Sequence, residues 1–179
     1  VLAAGGLSVS GRPSNTALLQ TANSVFGGSG TNRTVTITPA ANQVGPTTIT
    51  LTVTDAYGGT ASDTFVLTVN AVNDRPTISD ISNQSTDEDT STGAIAFTVS
   101  DVETAAGSLA VTGSSSNTAL VPDANIVFGG RGTNRTVTIT PAANQFGTAT
   151  ITLAVTDAAG GTPRATFVLT VQAVNDRPP

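Results

Sequence analysis

Apolar and polar residues alternate with a period of two along most of this chain. "AIAFTVS" (94–100) puts Ile95, Phe97 and Val99 on one face. "LAVTG" (109–113) does the same with Leu109 and Val111, and "RTVTITP" (135–141) with Val137 and Ile139, threonines standing opposite. "TATITLAVTD" (148–157) aligns Ile151, Leu153 and Val155, and "ATFVLTVQAV" (165–174) aligns Phe167, Leu169 and Val171. Side chains of a strand point alternately to its two faces, so each stretch predicts a strand with one face turned to a core. Shorter apolar stretches near 77–82 and 126–128 bring the total to seven within about 100 residues. No 3,4 spacing competes with this reading.

The stretches are separated by Gly, Asn, Asp and Pro. "FGGSGTNR" and "FGGRGTNR" join one pair of strands, and "DAYGGT" and "DAAGGT" join another. These are turn residues: glycine reaches φ > 0 without cost, and Asn or Asp can hydrogen-bond its own backbone. A GGxG run also occurs in calcium-binding β-rolls, but there it repeats every nine residues, whereas here it comes once per long unit. Strands with one apolar and one polar face are antiparallel as a rule. Seven of them, short and turn-linked, predict an all-β fold, a seven-stranded antiparallel sandwich of two sheets.

The pattern also repeats at long range. Moved by about 102 residues the sequence overlies itself without a gap, and about 55 of roughly 77 overlapping positions are identical. "SNTALLQTANSVFGGSGTNRTVTITPAANQVG" (14–45) lies over "SNTALVPDANIVFGGRGTNRTVTITPAANQFG" (116–147), and "AVNDRP" occurs at 71–76 and 173–178. The expected organisation is therefore tandem: residues 1–75 as a partial repeat lacking its first two strands, 76–177 as a complete repeat, and 178–179 as the start of the next linker. The chain reads as a window of a longer array; a true terminus at Val1 is the alternative.

Composition narrows the chemistry. The net charge is −5 and all seven basic residues are arginine, scattered along the chain, which argues against a phosphate backbone as partner. There is no cysteine, so disulfides and thiolate metal sites are excluded, and no histidine, so serine or threonine nucleophiles lack their usual base. Without lysine an isopeptide staple cannot form. No stretch of 18 apolar residues exists to span a bilayer as a helix. Ser114–Ser116 reads as loop, and the adjacent carboxylates of "TDEDT" (86–90) as a solvated loop or ion ligands. Tyr57, the one tyrosine, reads as a turn residue covering a sheet edge. The triplets "NRT" (32–34, 134–136) and "NQS" (83–85) match a glycosylation sequon that threonine-rich chains produce by chance.

"VTDAAGGTPRATFVLTVQAVNDRP" (155–178) resembles the closing part of a cadherin repeat. Together with "SDVET" after the second strand and "TPAANQFGTATITLAVTDAAGG", it resembles the cadherin-like, immunoglobulin-like tandem repeats of very large bacterial surface adhesins. The cysteine pair and tryptophan of antibody domains are missing, so the likeness to immunoglobulins is a broad one. The resemblance implies a Greek-key sandwich and Ca2+ between repeats, since carboxylate and carbonyl oxygens suit a hard cation. Carried over residue by residue, the ligands at one junction would be Asn73, Asp74, Asp101, Glu103 and Asp157, with Asn42 and Gln43 standing where cadherins carry an acidic pair. At the next junction they would be Glu88 or Asp89, Asn144, Gln145, Asn175 and Asp176.

Independently of the family, carboxylates gathered at about 6 Å would repel by roughly 2–3 kcal/mol per pair at an effective dielectric near 20, and such a cluster favours a cation. Three departures weaken the pattern: Ala71 replaces an acid, Arg75 an amide, and Asn42-Gln43 the acidic pair. A junction closed by Arg75 or Arg177 ion pairs, or acids that are merely solvated, are the alternatives. The resemblance implies a non-enzymatic, extracellular structural repeat of a bacterial surface protein, a stiff spacer whose partners are neighbouring repeats and, laterally, identical chains. A self-assembling filament or sheath subunit and a carbohydrate-binding module are the rival functions.

Overall fold

The computed structural model describes residues 6–175 of the 179, and these divide between Val72 and Asn73 into two compact units, here unit 1 and unit 2. The boundary falls at the "AVNDRP" linker. Asp176 lies outside the described residues. Every regular element longer than a three-residue 3-10 turn is a strand.

Unit 2 is a sandwich of two four-stranded sheets. Its strands are β6 (Thr77–Ile78), β7 (Gln84–Asp87), β8 (Ile95–Ser100), β9 (Ala110–Ser115), β10 (Ile126–Arg131), β11 (Asn134–Ile139), β12 (Gly147–Thr156) and β13 (Arg164–Gln172). One sheet runs β10-β11-β8-β6 and the other β7-β13-β12-β9. The alternation seen in the sequence decides what goes inside. Phe97, Val99, Val137, Ile139, Ile151, Leu153, Val155, Phe167, Leu169 and Val171 are all buried in one core cluster, with Ile95 and Val111 packed partly against it. Phe97 meets Phe128 edge to face, ring centroids 6.4 Å apart. Gly113 is required by this packing: a Cβ there would lie 2.7 Å from Ile126 Cγ2.

Two details differ from the periodicity reading. An eighth strand, β7, is present, and it pairs parallel to β13, Leu169 facing Gln84 and Gln172 facing Asp87. Its sequence, QSTD, is polar because it forms a sheet edge, so no apolar alternation marks it. It also takes in Thr86 and Asp87, which were expected in a loop. Second, β10 continues through Gly129 and Gly130 to Arg131 and pairs with β11 as far as Asn134, so the turn is only Gly132-Thr133. Gly130 has φ +80°, and a Cβ on it would run into the Asn134 carbonyl oxygen, which explains the glycine inside the strand.

Unit 1 is built from β1 (Ser8–Pro13), β2 (Ser24–Ser29), β3 (Asn32–Ile37), β4 (Gly45–Thr54) and β5 (Thr60–Val69). They form a three-stranded sheet, β1-β4-β5, and a two-stranded ribbon, β2-β3. These are the counterparts of β9 to β13 by the sequence offset, and they pair in the same register: Ile49 faces Phe65 as Ile151 faces Phe167. Among its described residues the buried apolar side chains are Pro13, Leu18, Leu19 and Ile49.

Candidate functional site

At the end of unit 2 where its linker begins, five of the expected residues are tied into one hydrogen-bonded network. The Asn73 side-chain amide donates to Asp157 Oδ2 at 3.0 Å and to the Asp74 carbonyl at 2.7 Å. The Asp74 backbone N–H donates to Glu103 Oε2 at 3.0 Å. Asp101 Oδ1 accepts the N–H groups of Glu103 (3.0 Å) and Thr104 (2.5 Å). Local sequence explains these bonds. An aspartate opening a turn caps the amides that follow it, so "SDVET" curls around Asp101 and "DAAGG" around Asp157. Asp157 is buried, and its Oδ1 takes the Gly161 N–H at 2.7 Å.

The electrostatics follow from these contacts. The Asn73 amide, helped by the N–H groups of Gly161, Ala159 and Gly160, holds the Asp157 carboxyl below the ordinary carboxylate range against the opposing effect of burial. Asp101 shows the converse: its Oδ2 is buried and has no hydrogen-bond partner among the described residues. A half-satisfied buried carboxylate is costly, and a bound cation would remove that cost. The bonds that do hold these carboxylates come from backbone amides and Asn73, not from Arg75. Among the described residues no three acidic side chains stand close enough to hold a metal by themselves. Any ion here would therefore draw on amide and carbonyl oxygens as well.

The opposite end of unit 2 carries the second expected set. Glu88 is buried, donates its N–H to the Gln172 carbonyl at 2.8 Å, and accepts the Val174 N–H through Oε1 at 2.7 Å. Asp89 and Asn144 both have positive φ, 60° and 55°, and Asp89 Oδ1 accepts the Asn144 N–H at 2.9 Å. Gln145 donates its side-chain amide to the Asn144 carbonyl at 3.1 Å. Asn175 is exposed. In unit 1, Asn42 adopts φ 58° and Gln43 donates its N–H to Ala40 O at 3.3 Å; both side chains are exposed. Tyr57 is 85% exposed, so it covers no sheet edge.

The sequence named these acids but not what they bind. Backbone N–H groups, invisible in residue types, take one oxygen each of Asp101, Glu103, Asp157, Glu88 and Asp89. Asp123, not singled out beforehand, does the same for Ser115, whose N–H it accepts at 2.8 Å. The one available signal was the Asp-x-x-Gly and Asp-x-Glu-Thr spacing, which favours turns closed on an aspartate.

Among curated proteins none matches the chain. Solved structures do. A protocadherin gammaB7 EC3-6 cis-dimer aligns over 97% of this chain and 41% of its own, at 19% identity and a TM-score of 0.54. Human mucin-like protocadherin EC1-2 aligns over 94% of this chain and 85% of its own, at 19% identity and a TM-score of 0.54. At such identity the likeness is one of fold, and the chain spans less than half of the first. A family model described as Bacterial Ig domain matches residues 5–68 and again 73–170, nearly the whole of both units. The two tandem units that the sequence repeat marks out belong to the bacterial Ig domain family.

Proposed function

We propose that this chain is a non-enzymatic structural repeat of an extracellular bacterial surface protein, part of a stiff rod that spaces an adhesive tip from the cell, with Ca2+ bound where repeats follow one another. Four things support the reading: family membership, the tandem repeat, the cadherin-like fold, and the acidic pole next to the linker. The observation that carries the calcium assignment is Asp101 Oδ2, buried and unpartnered beside a linker that is itself hydrogen-bonded to Asp157 and Glu103. Asn73, Asp74, Asp101, Glu103 and Asp157 would hold the ion. At the other pole Glu88, Asp89, Asn144, Gln145 and Asn175 are the equivalent set.

When bound, the ion supplies positive charge that lets these oxygens approach one another. The protein's own residues do the rest: Asn73 fixes Asp157, and Asp101 folds the loop that carries Glu103. Extracellular calcium modules bind at about 0.1–1 mM, so at about 1 mM calcium the ion adds no more than about 1.5 kcal/mol per site. Its effect is then on stiffness more than on folding. The proline after the linker acts in the same direction by restricting its own φ and the residue before it.

Small-angle scattering of the chain with calcium and with chelator tests this. Chelation should loosen the particle, and Asp101→Asn, which keeps an acceptor for the Glu103 and Thr104 amides, should show the loose profile in both conditions. Identical profiles for the wild-type chain with and without chelator would rule calcium out.

A further inference from the structure

β9 is a sheet edge in unit 2, and its own residues do nothing to close it. The other edges of that unit are blunted. β6 has two residues, β7 has four and ends on Asp87, and β10 carries Gly130 at φ +80° and ends on Arg131. Short length, charge and local distortion all discourage an added strand. β9, AVTGSS, has six residues with no charge, no proline and no positive φ. The N–H of the next residue, Ser116, donates inward to the Thr150 carbonyl on β12 at 2.8 Å. Amides alternate in direction along a strand, so those of Ser115, Gly113 and Val111 point outward, away from β12. The Ser115 amide is taken: Asp123 Oδ1, from the 3-10 turn Asp123–Asn125, accepts it at 2.8 Å. A carboxylate oxygen therefore stands where the carbonyl of an added strand would come.

In unit 1 the matching position is closed by different chemistry. β1, SVSGRP, is the counterpart of β9 and likewise a sheet edge. Ser14 N–H donates inward to the Thr48 carbonyl at 2.8 Å, as Ser116 does to Thr150, so position 13 faces outward. Pro13 stands there and has no N–H to offer. Thr21 stands where unit 2 has Asp123. The two repeats thus differ at both positions together, Pro13 with Thr21 and Ser115 with Asp123, and the outward donor is withheld in each. We propose that Asp123 guards the β9 edge, keeping the β9 strand of a second copy from adding to it, as Pro13 guards β1. In a two-fold antiparallel pair centred on Gly113, Gly113 would bond Gly113 of the copy, and each Ser115 would exchange bonds with Val111 of the copy. Asp123 occupies the Ser115 donor and so removes a bond on either side of the axis.

The experiment removes the guard and then closes the edge by the other route. In the full chain, Asp123→Ala should make exchange at the Val111 and Gly113 amides slow by at least about tenfold as protein concentration rises, with a matching gain of dimer in sedimentation. The wild-type chain should show no concentration dependence at those two amides. Adding Ser115→Pro to Asp123→Ala copies the arrangement of unit 1 and should return the wild-type behaviour. Exchange at Val111 and Gly113 that stays independent of concentration in Asp123→Ala would overturn the proposal. So would association of the double variant as strong as that of Asp123→Ala, because its cause would then be unfolding or another surface.

Discussion

Asp157 shows how one side chain can be committed to its surroundings before any ligand arrives. Its Oδ2 accepts from Asn73 and its Oδ1 from the Gly161 amide, so the charged form is favoured and the carboxyl titrates below its ordinary value of 3.8. A carboxyl with a depressed folded-state pKa adds stability that is fully present above its unfolded value. That stability is lost as pH falls through the folded one, because the unfolded chain binds the proton first. Asp157→Asn should therefore flatten the fall in stability between about pH 5 and about pH 2. Asn73→Ala should raise the pKa of Asp157, read by NMR titration of its side-chain carbon. A variant curve as steep as the wild type's would show that other acids govern the acid limb. The sequence could not have announced this pairing. Asn73 and Asp157 are 84 residues apart, and only the fold brings a linker amide to a turn carboxylate.

At the scale of the element, the same six residues, TFVLTV, form a buried strand in one unit and an exposed edge in the other. Removing a phenylalanine costs what its surroundings had gained from it. Phe167→Ala should destabilise unit 2 by about 3–5 kcal/mol, the usual range for a buried phenylalanine. Phe65→Ala should cost about 1 kcal/mol, since its ring keeps much of its contact with water. Chemical denaturation followed by hydrogen exchange at β13 and β5 separates the two. Equal losses would mean that unit 1 is closed in solution.

The contrast also marks what was legible. Apolar alternation gave the long strands β8, β11, β12 and β13 and the face each one buries, since Phe97, Val137, Ile151 and Leu169 could go nowhere else. It did not give β7, whose polar QSTD earns its place by edge pairing, nor the glycines of β10, whose role depends on how closely Asn134 approaches. The candidate site was legible in residue type alone. Asp101 and Glu103 were recognisable as potential ligands, but the amides that occupy Asp101 Oδ1, and the lack of a hydrogen-bond partner for its buried Oδ2 among the described residues, are three-dimensional facts.

At the scale of the whole molecule, the two units share most of their sequence and differ in how much core they bury. Among the described residues unit 1 buries Pro13, Leu18, Leu19 and Ile49, while the other buried aliphatic and aromatic side chains belong to unit 2. Unit 1 also keeps a cost that unit 2 avoids. Ser24 replaces Ile126 in the equivalent strand, and its Oγ is buried with no partner among the described residues. Net stability is a small difference between large terms, so a deficit of several buried side chains is enough to separate two melting transitions. Calorimetry should show two peaks, and exchange measured between them should find the β4 and β5 amides free and those of β12 and β13 still protected. A single transition would mean that the chain unfolds as one cooperative body despite the unequal cores.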